Sequence, residues 1–152
     1  MKLVSVCAVA IAVLGCGASP KRAELLLDEV RGYNDGVRWQ KTPQAALRIP
    51  PREREEFFDE RDELADELRI ADYEIIRVRQ PGRGERAVIQ VKWTWHLDSK
   101  GIVHTTTSQQ EWEMHGKRWL MVAEHRVRGE PMPGVSERDS ESDGNNSSHP
   151  DE

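Results

Sequence analysis

Two histidines and three smaller polar residues lie close to tryptophans in a pattern that could support chemistry. The set comprises Trp93, Trp95, His104, Thr106, Ser108, Gln110 and His125. Polar groups that converge on an aromatic wall form a typical small-molecule site, and His125 or His104 could act there as a base near neutral pH. The same pattern also suits an ordinary sheet, because Thr is a favourable strand residue and a histidine can be a hydrogen-bonded core or rim group. Both interpretations depend on which side chains share a face.

Other kinds of catalytic site have less support in the sequence. A metal site would have to draw on His96, Asp98, His104 and His125, but His96 and His104 fall on opposite faces of the predicted sheet and no HxxxH spacing is present. The sequence has neither a G-x-S-x-G nucleophile motif nor a glycine-rich phosphate loop before a helix. We therefore expect no metal and no cofactor, and we assign no catalytic residue beyond the two candidate histidines.

Alternation of apolar and polar residues places these side chains on a predicted antiparallel meander. The predicted strands are Tyr73–Arg79, Ala87–Leu97, Ile102–Met114 and Arg118–Arg128. If Leu97 pairs with Ile102, the face of the two tryptophans continues through His104 to Gln110 and Trp112. If Met114 pairs with Lys117, Trp112 faces Trp119, and the same face runs on through Met121, Ala123 and His125. This register would bury the aromatic residues of three strands on one face.

Helical periodicity precedes the strands. Leu26, Val30, Tyr33 and Val37 form one apolar stripe that begins after Ser19-Pro20 and ends near Trp39, as expected of an amphipathic helix. A second helix restarts at Pro51 with Phe57, Leu64 and Leu68 as its stripe, and the intervening QAALR could form one short helical turn. The predicted fold class is α+β, with two or three N-terminal helices packed on a curved four-stranded antiparallel meander over residues 20–128.

Charge is concentrated at the C-terminal end of the chain. Residues 129–152 contain seven acids and one arginine, whereas residues 17–128 contain 20 acidic and 20 basic side chains. The stretch 129–152 has no large apolar residue beyond Met132 and Val135, so we predict a disordered acidic tail. The sequence has no basic stripe that would indicate nucleic-acid binding, and nucleic acid is not an expected partner.

The N-terminal segment has the features of a secretory signal peptide. Lys2 is followed by the apolar run Leu3–Leu14, which is too short to span a bilayer. The sequence Val13-Leu14-Gly15-Cys16 resembles the lipobox of bacterial lipoproteins. The resemblance implies that residues 1–15 are a cleaved signal peptide, that Cys16 carries a covalent lipid, and that residues 16–19 are a short tether. An ordinary cleaved signal with a chance cysteine is the alternative.

The lipobox resemblance also implies where the protein resides. Gly17 follows the modified cysteine, in place of the aspartate that marks inner-membrane retention in enterobacteria. The expected location is therefore the cell envelope, on the outer membrane facing the periplasm. Since a tether of four residues reaches roughly 15 Å, the domain would lie close to the bilayer.

The order of elements is similar to the nuclear transport factor two-like superfamily over about residues 23–128. The most characteristic part is the last hairpin, in which Trp112, Gly116, Trp119 and Met121 occupy the aromatic, glycine, tryptophan and hydrophobic positions. This resemblance implies a cone-shaped α+β domain, and a cystatin-like helix and sheet is the near alternative. The superfamily contains enzymes and domains without known chemistry, so the resemblance transfers no catalytic residue to this chain.

Three functions follow as expectations. The first is a membrane-anchored binding or interaction module whose partner is an envelope protein or a small apolar ligand. The second is a small-molecule-binding or isomerase-type enzyme that uses the pocket of the cone. The third is a structural envelope component that associates through the outer sheet face, formed by Gln90, Lys92, Thr94 and His96. An enclosed pocket that reaches His125 would favour the enzyme, whereas a pocket filled by tryptophans would favour the other two.

Overall fold

The computed structural model describes residues 20–80 and 84–137 as an α+β fold. Its elements are α1 (Pro20–Arg38), α2 (Thr42–Ala46), a 3₁₀ turn (Pro51–Glu53), α3 (Arg54–Leu64), β1 (Leu68–Arg79), β2 (Arg86–Leu97), β3 (His104–His115) and β4 (Arg118–Gly129). The strands form one antiparallel sheet in the order β1-β2-β3-β4. The predicted fold class is confirmed. The predicted signal peptide, the tether with Cys16, and residues 138–152 of the predicted tail lie outside the described residues.

Helix α1 supplies the apolar face that covers the sheet. Leu26, Val30, Tyr33 and Val37 are all buried in the core, as their spacing predicted. Burial of each such side chain contributes about 1.5–3 kcal/mol. Within the described ranges, no helix is long and apolar enough to cross a membrane.

Two glycines of α1 lie against α2 and the residue Arg48 that follows it. A Cβ atom at Gly36 would lie 2.8 Å from the backbone nitrogen of Ala45, and one at Gly32 would meet the Arg48 guanidinium group. These glycines lower the helix propensity of α1 by roughly 1 kcal/mol each. The lack of a side chain at Gly36 is what lets the backbone of α2 approach α1.

The boundary between α3 and β1 differs from the prediction. The helix ends at Leu64 and Leu68 begins β1, so Leu68 is not part of a helical stripe. Leu68 is drawn into the sheet because it pairs with Leu97 of β2. Irregularities in the register between Ile70 and Asp72 and between Ile75 and Arg77 interrupt the two-residue alternation of β1. For this reason, alternation in the sequence predicted a strand from Tyr73 and not from Leu68.

The predicted register is confirmed between β2 and β3 and is wrong between β3 and β4. Trp95 pairs with His104, which is the alignment expected if Leu97 lies opposite Ile102. In the last hairpin, however, Trp112 pairs with Met121 rather than with Trp119.

A bulge then reverses the faces of β4. The register shifts between Glu111 and Trp112, after which Gln110 pairs with Glu124 and Gln109 pairs with His125. We call the face of the sheet that carries the tryptophans and packs against α1 the inner face. Because paired residues share a face and successive residues alternate, Glu124 lies on the inner face and His125 lies on the opposite, outer face. The prediction that His125 shares a face with the tryptophans is therefore wrong.

The domain extends beyond its predicted end at residue 128. Met132 is 3% exposed and Val135 packs against the core. Ser136 forms a parallel bridge with His125, and Glu137 forms an ion pair with Arg126. The prediction of a disordered tail over 129–152 is therefore wrong for residues 129–137, because two apolar side chains suffice to hold a short segment against an existing core.

Candidate functional site

Tryptophans fill the space on the inner face where the pocket was predicted. Trp93, Trp112 and Trp119 are at most 1% exposed, and Trp95 is 3% exposed. The edge of the Trp112 ring packs against Tyr33 of α1, with centroids 6.1 Å apart. The aromatic residues of the sheet therefore form a packed core with α1.

The carboxylate of Glu124 is the centre of a buried hydrogen-bond network. Its Oε1 atom accepts from Ser108 Oγ at 2.6 Å, from Gln110 Nε2 at 3.1 Å and from Trp93 Nε1 at 3.3 Å. Its Oε2 atom accepts from the Tyr33 hydroxyl at 3.2 Å. Four donors from α1, β2 and β3 therefore converge on one half-buried acid of β4.

The other predicted polar residues take part in the same kind of internal bonding. Gln110 Nε2 also donates to Asn34 Oδ1 at 2.7 Å. Thr106 accepts from Trp95 Nε1 at 2.8 Å and donates to the carbonyl of Glu130 at 2.6 Å. Thr106 and Gln110 are at most 1% exposed. Their polar atoms stabilise the packing of the sheet instead of lining an open pocket.

The two candidate histidines are not brought together. His104 lies beside Trp95, with ring centroids 4.8 Å apart, whereas His125 lies on the outer face in the ladder with Gln109. His96 contacts Asp98 at 3.3 Å at the end of β2. The described part of the chain contains no group of three His, Cys, Asp or Glu side chains that could hold a metal ion.

Both tyrosines are held in their neutral form by their surroundings. Burial, followed by the nearby Glu124 carboxylate, raises the pKa of Tyr33 well above its usual value. Partial burial, followed by the hydrogen bond to Asp35, raises the pKa of Tyr73 to about 12. Each hydroxyl therefore acts as a hydrogen-bond donor to a carboxylate at neutral pH.

A cleft of about 400 Å³ lies at the opposite end of α1 from its first residue. We call it the α1–α3 cleft, and its lining includes Val37, Arg38, Trp39, Gln40, Phe57, Arg61, Leu64, Leu68, Arg69 and Ile70. Trp39 stands at the cleft with 60% of its surface exposed. A volume of this size suits a small ligand or a few side chains of a partner.

Two arginines line the wall of the α1–α3 cleft. Arg38 stacks on Trp39, with its guanidinium carbon 4.7 Å from the ring centroid, and pairs with Asp72 at 2.9 Å. Arg61 lies over Phe57 at 5.2 Å and donates to the carbonyl of Gly134 at 2.8 Å. The Nε atoms of both arginines are buried and have no hydrogen-bond partner among the described residues. Their positive charge favours an anionic or acceptor group on a bound ligand.

The backbone around the cleft is held by the end of α1. Gln40 adopts a left-handed conformation with φ 54°, and the amide of Lys41 donates to the carbonyl of Gly36 at 2.8 Å, as in a Schellman cap. The Gln40 side chain then donates to the carbonyl of Ala65 at 2.8 Å. This bond ties the end of α1 to the segment between α3 and β1.

A second, more open cleft of about 340 Å³ lies between α3 and β4. Tyr33 and Glu124 form part of its wall, and Phe57 and Arg61 separate it from the α1–α3 cleft. One side of this cleft carries three acids, Glu53 of the 3₁₀ turn and Glu56 and Glu60 of α3. Through this cleft, the central carboxylate of the network lies near solvent.

Sequence reasoning found neither Glu124 nor the α1–α3 cleft. Simple alternation along β4 assigns Glu124 to the outer face, so the bulge had to be known first. A usable signal was the excess of buried donors on the inner face, since Trp93, Ser108 and Gln110 all require an acceptor. No local sequence pattern could have predicted the α1–α3 cleft, because its lining residues come from three helices and a strand.

Comparisons with known proteins identify the fold only. No protein-family profile matches the chain, and it has no match among curated proteins. It is similar to the solution structure of a SEC-C motif containing protein from Rhodopseudomonas palustris, with 12% identity and a TM-score of 0.56 over 70% of this chain and 89% of that chain. The intermembrane space region of the chloroplast protein ARC6 aligns with 14% identity and a TM-score of 0.49 over 69% and 95% of the two chains. At 12% identity, the similarity to the SEC-C motif protein shows a shared fold and not a function.

Proposed function

We propose that this protein is a lipid-anchored lipoprotein of the bacterial cell envelope whose domain is a binding module. Cys16 carries the lipid, and the α1–α3 cleft takes an apolar ligand with a hydrogen-bond acceptor. The domain resembles nuclear transport factor two-like folds in the order of its helices and strands.

The observation that supports this proposal is the contrast between the predicted pocket and the cleft. On the inner face, Ser108 and Gln110 already donate to Glu124, and the tryptophans fill the space around them. In the α1–α3 cleft, by contrast, an open volume remains beside the exposed ring of Trp39, and Arg38 and Arg61 line it. The apolar wall favours an apolar body, and the arginine donors favour a carboxylate or carbonyl on it.

The position of the cleft also suits an anchored protein. The tether joins the domain at Pro20, and the cleft includes Arg38 at the other end of α1. A helix of 19 residues is about 28 Å long. An anchor on Cys16 would therefore hold the cleft away from the bilayer, where soluble ligands and partners can reach it.

The anchor is tested by Cys16→Ala in cells. We expect the parent protein to incorporate a labelled fatty acid and to partition into the detergent phase of Triton X-114. The variant should lose the label because it lacks the only thiol that the processed chain would retain. Cys7→Ala is the matched control and should retain the label. Equal labelling of the parent and Cys16→Ala would contradict the anchor.

The cleft is tested by equilibrium binding of a long-chain carboxylic acid that carries a dansyl group. We expect Trp39→Ala to weaken binding by about tenfold, as loss of an aromatic contact does. Ile102→Ala is the control, because Ile102 is 59% exposed in the β2–β3 loop and Trp39 is 60% exposed. The methyl ester of the probe should bind more weakly than the acid. Equal affinities for the parent and Trp39→Ala would refute the cleft as the site.

A further inference from the structure

The end of the molecule at which α1 begins exposes two leucines. Leu25 is 45% exposed and Leu47, directly after α2, is 50% exposed. Single exposed leucines are common on soluble proteins. These two are informative because the packing of α1 on α2 places them on one surface.

Contacts between α1 and the end of α2 establish that placement. Leu25 precedes Glu29 by one helical turn on the same side of α1. Glu29 pairs with Arg48 at 2.9 Å, and Leu47 is the residue before Arg48. The side of α1 that carries Leu25 therefore faces the chain segment that carries Leu47.

Basic residues surround the two leucines. Lys21 and Arg22 lie one turn before Leu25 on the same side of α1. Arg118 donates to the carbonyl of Leu47 at 3.2 Å, which brings the β3–β4 turn and its exposed Lys117 to the same end.

Nearby acids do not cancel this charge. Glu24 is offset from Leu25 by about 100° around α1. Asp28 lies one turn after Leu25 on the same side, but it contacts Arg31 at 3.8 Å. Glu29 is already paired with Arg48. The surface thus combines exposed leucines with an excess of positive charge.

We propose that this surface docks on anionic phospholipid headgroups. The docking face consists of Lys21, Arg22, Leu25, Leu47, Lys117 and Arg118. Basic side chains are attracted to anionic headgroups, and leucines enter the boundary between headgroups and acyl chains. The inference deepens the proposed function, because a lipid on Cys16 would hold this end of α1 within a few residues of the bilayer. Docking then fixes the orientation of an anchored domain and turns the α1–α3 cleft outward.

The test measures which end of the domain contacts lipid. The full-length protein is extracted from cells and reconstituted in vesicles of phosphatidylcholine with or without phosphatidylglycerol. A fluorophore is placed on Leu47→Cys or, as the matched control, on Ile102→Cys at the far end of the domain, and nitroxide-labelled lipid serves as the quencher. Cys16 cannot take the dye if it is acylated, so each variant carries one label.

We expect strong quenching at position 47 and weak quenching at position 102 in vesicles that contain phosphatidylglycerol. Each basic residue near an anionic surface favours docking about fivefold, so Lys21→Gln with Lys117→Gln should lower the docked fraction relative to the undocked fraction by about 25-fold. Salt at about 1 M, where the Debye length is about 3 Å, should have a similar effect. Equal quenching at the two positions, or equal quenching of position 47 in neutral and anionic vesicles, would overturn the proposal.

The same measurement separates failure of the anchor from failure of the docking face. Without acylation, the protein does not float with neutral vesicles, and Cys16→Ala is then added to the position-47 variant so that only position 47 carries the dye. Anionic vesicles would still quench position 47 if the docking face is real. An acylated protein that floats but shows no preference for position 47 would refute the docking face and leave the anchor intact.

Discussion

At the scale of single residues, the Glu124 carboxylate is the acceptor that four side-chain donors share. Its two carboxylate oxygens accept from Tyr33, Trp93, Ser108 and Gln110. Hydrogen bonds to a charged acceptor contribute more than neutral ones, and a buried donor that loses its acceptor is costly. The network links α1 to three strands through one acid.

We expect Glu124→Gln to lower the free energy of unfolding by about 2–4 kcal/mol. The new amide would point an NH₂ group at donors that need an acceptor. Chemical denaturation measures the change. Glu111→Gln, at an exposed position on β3, is the control and should stay within about 0.5 kcal/mol of the parent. A similar small effect for Glu124→Gln would show that the network does not support the fold.

The tyrosines provide a spectroscopic test of their environments, since the chain contains only Tyr33 and Tyr73. The pKa of Tyr73 is raised to about 12 and that of Tyr33 is raised well above its usual value. At pH 11 we expect about a tenth of Tyr73 to be ionised in the folded protein, against about nine tenths in the unfolded chain. Absorbance at the tyrosinate band measures the ionised fraction in the folded protein and in the unfolded chain. Equal tyrosinate signals in the folded and unfolded protein at pH 11 would contradict the assigned environments.

The same shifts determine the alkaline stability of the protein. A tyrosine whose pKa is higher in the folded state stabilises the protein fully below the unfolded pKa, near 10, and this contribution is lost as pH rises further. We expect the free energy of unfolding to fall above about pH 10. Tyr33→Phe should show a weaker pH dependence in that range, as measured by denaturation at several pH values. If the free energy of unfolding of Tyr33→Phe fell with pH as steeply as that of the parent, Tyr33 would not be responsible for the alkaline loss of stability.

At the scale of elements, the bulge in the β3–β4 ladder determines which side chains of the last strand meet the core. It turns Glu124 inward and His125 outward. Since a shift of one residue exchanges the two faces of a strand, one local irregularity places the Glu124 carboxylate, and not the His125 side chain, on the inner face.

The contact between α1 and α2 allows a matched pair of glycine substitutions. We expect Gly36→Ala to destabilise the protein by about 1–3 kcal/mol, because a Cβ atom would lie 2.8 Å from the Ala45 backbone. Gly32→Ala should cost less, since its Cβ would meet the far end of the flexible Arg48 side chain. Thermal or chemical unfolding measures both. If Gly36→Ala instead raised the free energy of unfolding by about 1 kcal/mol, the usual gain in helix propensity, the result would contradict the close contact between α1 and α2.

At the scale of the whole molecule, α1 separates two surfaces of different character. Its first turn belongs to the basic docking face, and its last turn belongs to the α1–α3 cleft with the exposed Trp39. A chain anchored before Pro20 would present the first surface to lipid and the second to the surroundings. This arrangement accounts for exposed apolar side chains at both ends of one helix.

The segment after β4 completes the domain. We expect Met132→Ala to lower the free energy of unfolding by about 2–4 kcal/mol, because this side chain is 3% exposed in the core. Glu130→Ala, at an exposed neighbouring position, is the control and should have little effect. Chemical denaturation of both variants measures the difference, and an effect of Met132→Ala no larger than that of the control would place the segment outside the cooperative domain.

The sequence by itself determined the elements whose apolar residues repeat without interruption. The stripe from Leu26 to Val37 predicted α1, and alternation from Ala87 to Leu97 predicted β2 and its register with β3, because burial of one face imposes the period of each element. The lipobox resemblance at Cys16 likewise comes from the sequence alone and stays a prediction.

Only the tertiary structure decided the features that depend on contacts between distant segments. The bulge that brings Glu124 to Gln110, the burial of Met132 and the α1–α3 cleft each join residues from different elements. Local periodicity carries no record of such contacts, because an added residue in a ladder or a close approach at Gly36 is stabilised by its partner and not by its neighbours in sequence. For this reason the sequence predicted the correct fold class but assigned His125 to the wrong face of β4.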